Sequence, residues 1–254
     1  MELVAHGTFG SVYKEQNQVI KIANDDIESK ENINNEIRFL KRLKGFSGFP
    51  YMKDYLYSSY IRMDILGPGL DELLDTTGGT FSMKTCLMIG YYMMSCLETL
   101  KKCNIVHNDI KPENICVCNH RQICLIDFGL AEFLSDRNRR KNSFVGTCRY
   151  ASINALQGIP TEIHDDIESV FYTIVYLHYG TLPWIGYPEH EKRSHVLQDK
   201  YYYEYSLFND FPKPIQISFN STAIRPPSSM MHNFKRALQL EGYVFDDKFD
   251  WMNL

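Results

Sequence analysis

Asp109 and Asn114 stand five residues apart in His107-Asn108-Asp109-Ile110-Lys111-Pro112-Glu113-Asn114, with Lys111 between them. A carboxylate, an amide oxygen and an ammonium on one short loop can supply a base, a metal ligand and a counter-charge for a group in transfer, such as a phosphoryl group. Pro112 restrains that loop and pushes Lys111 away from helical geometry. A random polar loop carries these residue types often, and this order rarely. Asp127-Phe128-Gly129 follows the apolar strand end Leu125-Ile126, so its carboxylate is expected beside Asn114 across a hairpin. Two oxygen ligands converging on phosphates suit Mg²⁺, which keeps several waters and takes few protein ligands.

Nearer the N-terminus, Ala5-His6-Gly7-Thr8-Phe9-Gly10-Ser11-Val12 places Gly7 and Gly10 between two candidate strands and ahead of no helix. A dinucleotide-binding turn needs a strand feeding a helix N-terminus, which excludes that reading. The Gly-Lys-Ser/Thr ending of a P-loop is also missing. What remains is a β-hairpin, either a plain tight turn or a flap whose amides cover nucleotide phosphates. Lys21 lies within the apolar strand Val19-Ile20-Lys21-Ile22. Facing inward it needs an anionic partner, for which Glu36 is the candidate; facing outward it is simply solvated.

The elements that must position these groups follow from periodicity. Leu3-Val4, Ser11-Val12-Tyr13 and Val19 to Ile22 read as short antiparallel strands punctuated by Gly7, Gly10 and Asn17. Ile33, Ile37, Leu40 and Leu43 then recur at helical spacing, which predicts an amphipathic helix from about Glu31 to Lys44, stopped by Gly45 and Gly48-Phe49-Pro50. Strands are predicted over Tyr51–Tyr57 and Tyr60–Leu66, and Gly67-Pro68-Gly69 is the expected hinge between two lobes. Beyond it Ser82 caps a long apolar helix reaching about Lys102. Strands over Ile115–Cys118 and Ile123–Ile126 are joined by Asn119 to Gln122, a loop is expected from Asp127 to about Asn154, and helices dominate the rest, including a buried one from Ile167 to Tyr179. A β-rich small lobe and a larger helical lobe leave a cleft of the kind that takes a nucleotide.

Composition narrows the classes. The 254 residues are 44% hydrophobic and 23% charged, which suits one soluble globular domain or two lobes sharing a core. A net charge of -4 gives no general attraction to nucleic acid or anionic lipid. Seven cysteines in no framework spacing point to a reducing compartment. No charged leader precedes an apolar run, and the longest apolar stretch is too short to span a bilayer, so neither a signal peptide nor a membrane span is expected.

Taken in order, the glycine hairpin, Lys21, Glu36, the Asp109 loop and Asp127-Phe128-Gly129 resemble the eukaryotic protein kinase signature. More narrowly the chain resembles the casein kinase 1 family. The carriers are Leu66-Gly67-Pro68-Gly69-Leu70, Phe81 to Thr85, Gly146-Thr147-Cys148-Arg149-Tyr150-Ala151-Ser152-Ile153-Asn154, Asp165 to Ser169, Leu182-Pro183-Trp184 and Phe245-Asp246-Asp247. In that family Ser-Ile-Asn stands where most kinases have Ala-Pro-Glu. The resemblance implies an α+β bilobal fold in a single domain over 1–254, with a small antiparallel β-rich lobe and one helix over about 1–66 and a mainly helical lobe over 67–254. It implies a serine/threonine protein kinase that uses ATP and Mg²⁺, with protein substrates, no nucleic acid or membrane partner, a monomeric state and a cytoplasmic or nuclear location.

The resemblance also implies roles by position. Asp109 is the catalytic base and Lys111 the γ-phosphate contact; Asn114 and Asp127 are Mg²⁺ ligands; Lys21 holds the α- and β-phosphates with Glu36 as partner. Met63 is the gatekeeper, Asp64 to Leu66 the adenine hinge, and Val12 and Cys116 pack above and below the ring. Thr147 and Asp166 position the catalytic loop. Three residues depart from the broad pattern. Ala5 replaces the first loop glycine and tolerates positive φ poorly, and Val19 brings extra methyl groups toward the adenine. Asn108 replaces the arginine that reads a phosphorylated activation loop, which implies activity without that phosphorylation. The first two keep open the alternative of a pseudokinase scaffold. Arg137 to Lys141, with Arg149, is either a solvated charge run or an anion site, Arg139 and Arg140 foremost, for acidic or already phosphorylated substrates.

Overall fold

A computed structural model describes residues 1–118, 122–136, 144–187, 192–204, 206–220 and 226–253. Its N-terminal part is an antiparallel sheet of β1 (Glu2–Gly7), β2 (Gly10–Glu15), β3 (Gln18–Ala23), β4 (Met52–Leu56) and β5 (Tyr60–Asp64), in the order β1-β2-β3-β5-β4. Between β3 and β4 runs α1 (Ile27–Leu43). It begins a turn ahead of the periodic signal because Asp26 caps it, accepting from the Ser29 amide at 2.8 Å and the Ser29 hydroxyl at 2.7 Å. Ile33, Ile37, Leu40 and Leu43 are buried as expected, and Glu36 is buried with them.

The expected hinge is not a free linker. Gly67 donates to the Val117 carbonyl at 2.8 Å, and the Val117 amide donates back to Pro68 at 3.1 Å. The connection therefore adds a short rung to β7 (Ile115–Cys118), which pairs with β8 (Gln122–Leu125). Residues 119–121 of the predicted turn lie outside the described residues.

The second lobe is helical. After α2 (Leu70–Thr76), α3 (Met83–Cys103) forms its centre, packed against α5 (Ile163–Tyr179) and α8 (Pro227–Leu240). Ser82 caps α3 through its hydroxyl, which accepts from the Thr85 amide at 3.3 Å, and Asn104 ends it in the left-handed conformation, φ 63°. Glu162 and Asp165 form a capping box at the start of α5, a turn before the apolar run from Ile167. Among the described residues the remaining α-helices are α4 (Ile153–Gln157), α6 (Lys192–Tyr203) and α7 (Lys213–Phe219). Among its described residues, the stretch expected as loop from Asp127 to about Asn154 holds β9 (Glu132–Phe133), paired with β6 (Ile105–Val106), and at its far end the start of α4. These two-residue strands tie the segment after Asp127 to the segment before His107.

Candidate active site

Lys21 stands opposite Ile61, a fully buried residue of β5. Its ammonium reaches Glu36 Oε2 at 2.6 Å, as the inward reading expects. It also reaches Asp127 Oδ1 at 3.1 Å, a partner that strand and helix periodicity gave no reason to expect. Burial works to lower the Lys21 pKa, yet the two carboxylates more than offset it and hold the pKa above its ordinary value. One charged group thus joins β3, α1 and the segment after β8.

Asp127 sits at φ 63°, a left-handed turn that swings its carboxylate out of the strand direction. The Ile126 amide donates to the Asn114 carbonyl at 2.9 Å, so Asp127 emerges beside Asn114, as the hairpin predicts. Burial acts to raise the Asp127 pKa, but Lys21 and the Gly129 amide, 3.3 Å from Oδ1, hold it below the usual carboxylate range. The carboxylate is 42% exposed, so it remains open to a ligand.

The loop around Asp109 is braced from below and from the side. His107 is fully buried; its ring Nε2 donates to the Ile126 carbonyl at 3.0 Å and Nδ1 accepts from the Asp109 amide at 3.3 Å, which assigns the neutral tautomer. Burial holds its pKa below the ordinary value. Beneath it Asp166 accepts from the His107 amide at 2.7 Å and the Asn108 amide at 3.0 Å, the bracing expected of it. Burial pushes Asp166 up to about 7 against those two bonds.

Four donated hydrogen bonds converge on the Asp109 carboxylate. The Thr147 amide and hydroxyl reach Oδ1 at 2.9 and 2.8 Å, while Lys111 and the Asn114 side-chain nitrogen reach Oδ2 at 2.8 and 3.1 Å. Lys111 also donates to the Thr147 hydroxyl at 3.1 Å. Burial acts to lower the Lys111 pKa, and the Asp109 charge raises it above its ordinary value. Because Asn114 directs its NH₂ at the carbonyl and carboxylate of Asp109, its Oδ1 is left as a hard acceptor. Among the described residues, no cluster of three or more His, Cys, Asp or Glu side chains could hold a metal by itself. One carboxylate and one amide oxygen nevertheless fit Mg²⁺ that shares its remaining positions with water and phosphate.

Around the remaining cleft, Val12 and Lys21 face each other across β2 and β3, Met63 lies opposite Val19, and Cys116 is buried under the linker, bridged to Gly69. Asp64 is ion-paired to Lys53 at 2.9 Å, and Leu66 is half-buried. Gly10 is required where it stands, since a Cβ there would lie 2.3 Å from the Ile22 carbonyl oxygen, whereas a Cβ at Gly7 would meet Gly10 at an ordinary 3.6 Å. Ala5 pairs with Val12 in β1 and has no positive φ, so the conformational objection to it does not arise. Val19 packs on the core. Arg149 lies over the rings of Tyr150 and Tyr176 at 5.8 and 5.6 Å; Arg139 and Arg140 lie outside the described residues. Two cavities, about 450 Å³ between α1 and residues 129–136 and about 800 Å³ behind the linker, contain neither Asp109 nor Lys21.

The family model of the protein kinase domain matches residues 1–237, nearly the whole chain and all of the groups above. The chain belongs to the protein kinase family. Its five-stranded N-terminal sheet with α1 and its helical remainder are the two lobes of a kinase. A kinase domain uses ATP, transfers a phosphoryl group and acts on protein substrates. Among the described residues of this kinase, no helix is long and apolar enough to cross a membrane.

Sequence reasoning named the groups that gather around Asp109 and Lys21, and named Asn108 without its partner, but missed Asn35. Asn35, beside Glu36 in α1, donates to the carbonyls of Gly129 and Ala131, both at 2.9 Å. Asn108 donates to the Leu130 carbonyl at 3.0 Å. A run of asparagines at 32, 34 and 35 in a helix that otherwise reads as amphipathic was the available signal.

Proposed function

We propose that the chain is a serine/threonine kinase of the casein kinase 1 kind, one domain over 1–254, moving the γ-phosphoryl of ATP to protein hydroxyls. The observation that carries this reading is the convergence of Thr147, Lys111 and Asn114 on Asp109. It holds Asp109 in one orientation, where its carboxylate can accept and align an incoming hydroxyl. Lys111, tethered to the same carboxylate, offsets charge on the group in transfer. Lys21, fixed by Glu36, takes the α- and β-phosphates, and the hairpin of Gly7 and Gly10 covers them. Met63 closes the back of the cleft, the backbone from Asp64 to Leu66 meets the adenine edge, and Val12 and Cys116 contact its faces. Asn114 and Asp127 would hold Mg²⁺, which when bound neutralises phosphate charge. Rate then comes from positioning and electrostatics.

The restriction to serine and threonine draws support from the Lys111–Thr147 contact, within the loop that resembles the serine/threonine form. A preference for acidic substrates draws on Arg149, whose guanidinium lies over the rings of two tyrosines and whose backbone carbonyl accepts from the Trp184 indole at 2.8 Å. Val19, the residue behind the scaffold alternative, keeps its extra methyl groups next to Met63 at the back of the cleft.

One experiment tests both. Asp109→Asn is expected to lower turnover on acidic serine peptides by about 10³-fold or more while ATP binding, followed by thermal shift with Mg²⁺, persists. Wild-type turnover in that variant would sink the assignment. ATP binding by the wild type with no transfer to any hydroxyl would favour the scaffold.

A further inference from the structure

Three consecutive backbone carbonyls just after Asp127 are each met by an asparagine side chain. Both Asn35 hydrogens are donated, one to Gly129 and one to Ala131, and Asn108 donates to Leu130 between them. The two asparagines come from opposite lobes: Asn35 adjoins Glu36, and Asn108 adjoins Asp109. Each is fixed in turn. Asn35 is part of α1, whose next turn lays Arg38 over the Phe133 ring at 4.5 Å and Phe39 against it at 4.8 Å. Asn108 accepts from the Thr161 hydroxyl at 2.5 Å and sits at φ 71°, a conformation that asparagine adopts more readily than most residues. The contact is close as well as bonded, since a Cβ on Gly129 would fall 2.2 Å from the Asn32 amide.

We infer that Asn35 and Asn108 form a neutral amide clamp that holds Gly129–Ala131, and with it Asp127, aligned to Lys21 and Glu36 without any phosphate on the activation segment. The inference rests on the kinase reading. In kinases switched by phosphorylation, a new phosphate orders the activation segment by pairing with arginine. Asn108 stands at the arginine position of that loop and carries no charge to read a phosphate. It binds the segment directly instead, and Asn35 supplies the matching hold from α1. Amide donors are present at every stage of the chain's life, so the alignment has no off state set by a phosphatase. Asn35 and Asn108 are positioning residues here, acting through Asp127 and Glu36.

The test uses the whole chain and three substitutions. Asn35→Leu removes both donors at similar volume and is expected to lower kcat about tenfold or more with KM for ATP changed less than about twofold. Asn35→Asp keeps the shape and sets a carboxylate against two carbonyls, giving at least the same loss should the leucine variant fold poorly. Asn35→Gln restores a donor and recovers part of the rate. Hydrogen exchange at the amides of Ala131 and Leu134 should quicken in the leucine and aspartate variants, a readout that needs no catalytic activity. The wild-type enzyme should keep its kcat after exhaustive phosphatase treatment. Unchanged kcat and exchange in both donor-lacking variants would overturn the clamp, as would loss of wild-type activity on dephosphorylation. A wild type inactive on every hydroxyl substrate would instead remove the kinase reading, and exchange alone would then decide the clamp.

Discussion

Thr147 is the residue on which the proposed chemistry depends without its touching a phosphate. Its hydroxyl donates to Asp109 and accepts from Lys111, so one oxygen couples the carboxylate to the ammonium. Thr147→Val keeps the shape and the backbone bond to Asp109 but removes that oxygen. Lys111 then keeps only Asp109, and kcat is expected to fall about tenfold at near-constant KM, by the loss of a hydrogen bond to charged groups. Steady-state kinetics on one peptide check this, and Thr147→Ser should retain most of the rate; equal losses in both would sink the coupling. Residues of this sort were legible because the chemistry fixes their types and order: Lys21, Glu36, Asp109, Lys111, Asn114 and Asp127 were all named from the sequence and stand together. Asn35 was not, because an amide that binds carbonyls can be anywhere the backbone passes. Its partners are chosen by the path of the segment from Gly129 to Ala131, which no residue type announces.

At the scale of elements, periodicity found the long pieces and chemistry at their ends set the errors. α1 begins at Ile27, ahead of its first buried isoleucine, because its cap Asp26 precedes a polar first turn. β6 and β9 are two residues each, too short to alternate visibly, yet they tie the segment after Asp127 to the start of the loop that carries Asp109. Gly90 carried no visible meaning either. In mid-helix a glycine costs roughly 1 kcal/mol against alanine, so by propensity Gly90→Ala should stabilise α3. The packing says otherwise, since a Cβ there would lie 2.2 Å from the Phe234 ring of α8 and 2.8 Å from Ile174 of α5. Both neighbours are fully buried and cannot yield cheaply. Gly90→Ala is therefore expected to destabilise the fold by about 1–3 kcal/mol, measured as a denaturant midpoint. A stabilised variant would show that α3, α5 and α8 pack less tightly than the contacts imply.

At the scale of the whole molecule, the switch from alternating to helical period near Gly67 was enough to read two lobes, since each period demands its own kind of layer. What it could not give is how the second lobe closes over the segment from Gly146 to Asn154. Lys200 of α6 does this from the inside. It is 1% exposed, lies 3.9 Å above the Tyr172 ring and 5.0 Å from that of Trp184, and donates to the Ala151 carbonyl. Glu168 and Cys148 face it, and Glu168 in turn accepts from the Ile153 amide at 2.9 Å. Burial pushes the Lys200 pKa down to about 7, with Glu168 offsetting only part of the effect. A lysine depressed in this way burdens the native state most below that pH, where it must stay charged in the core. As pH rises from about 7 toward the unfolded value near 10.5, the native state loses its proton first and the burden is relieved. Global stability should therefore gain a rising component between pH 7 and 10, on the order of a few kcal/mol at most. Lys200→Met, which fills the same space without the charge, removes that component. Denaturant midpoints of both proteins at pH 6, 7, 8 and 9 check it, with the two curves converging at high pH in wild type's favour. Curves that run parallel across the range would mean that Lys200 keeps an ordinary pKa, and that the segment above it is held by packing alone.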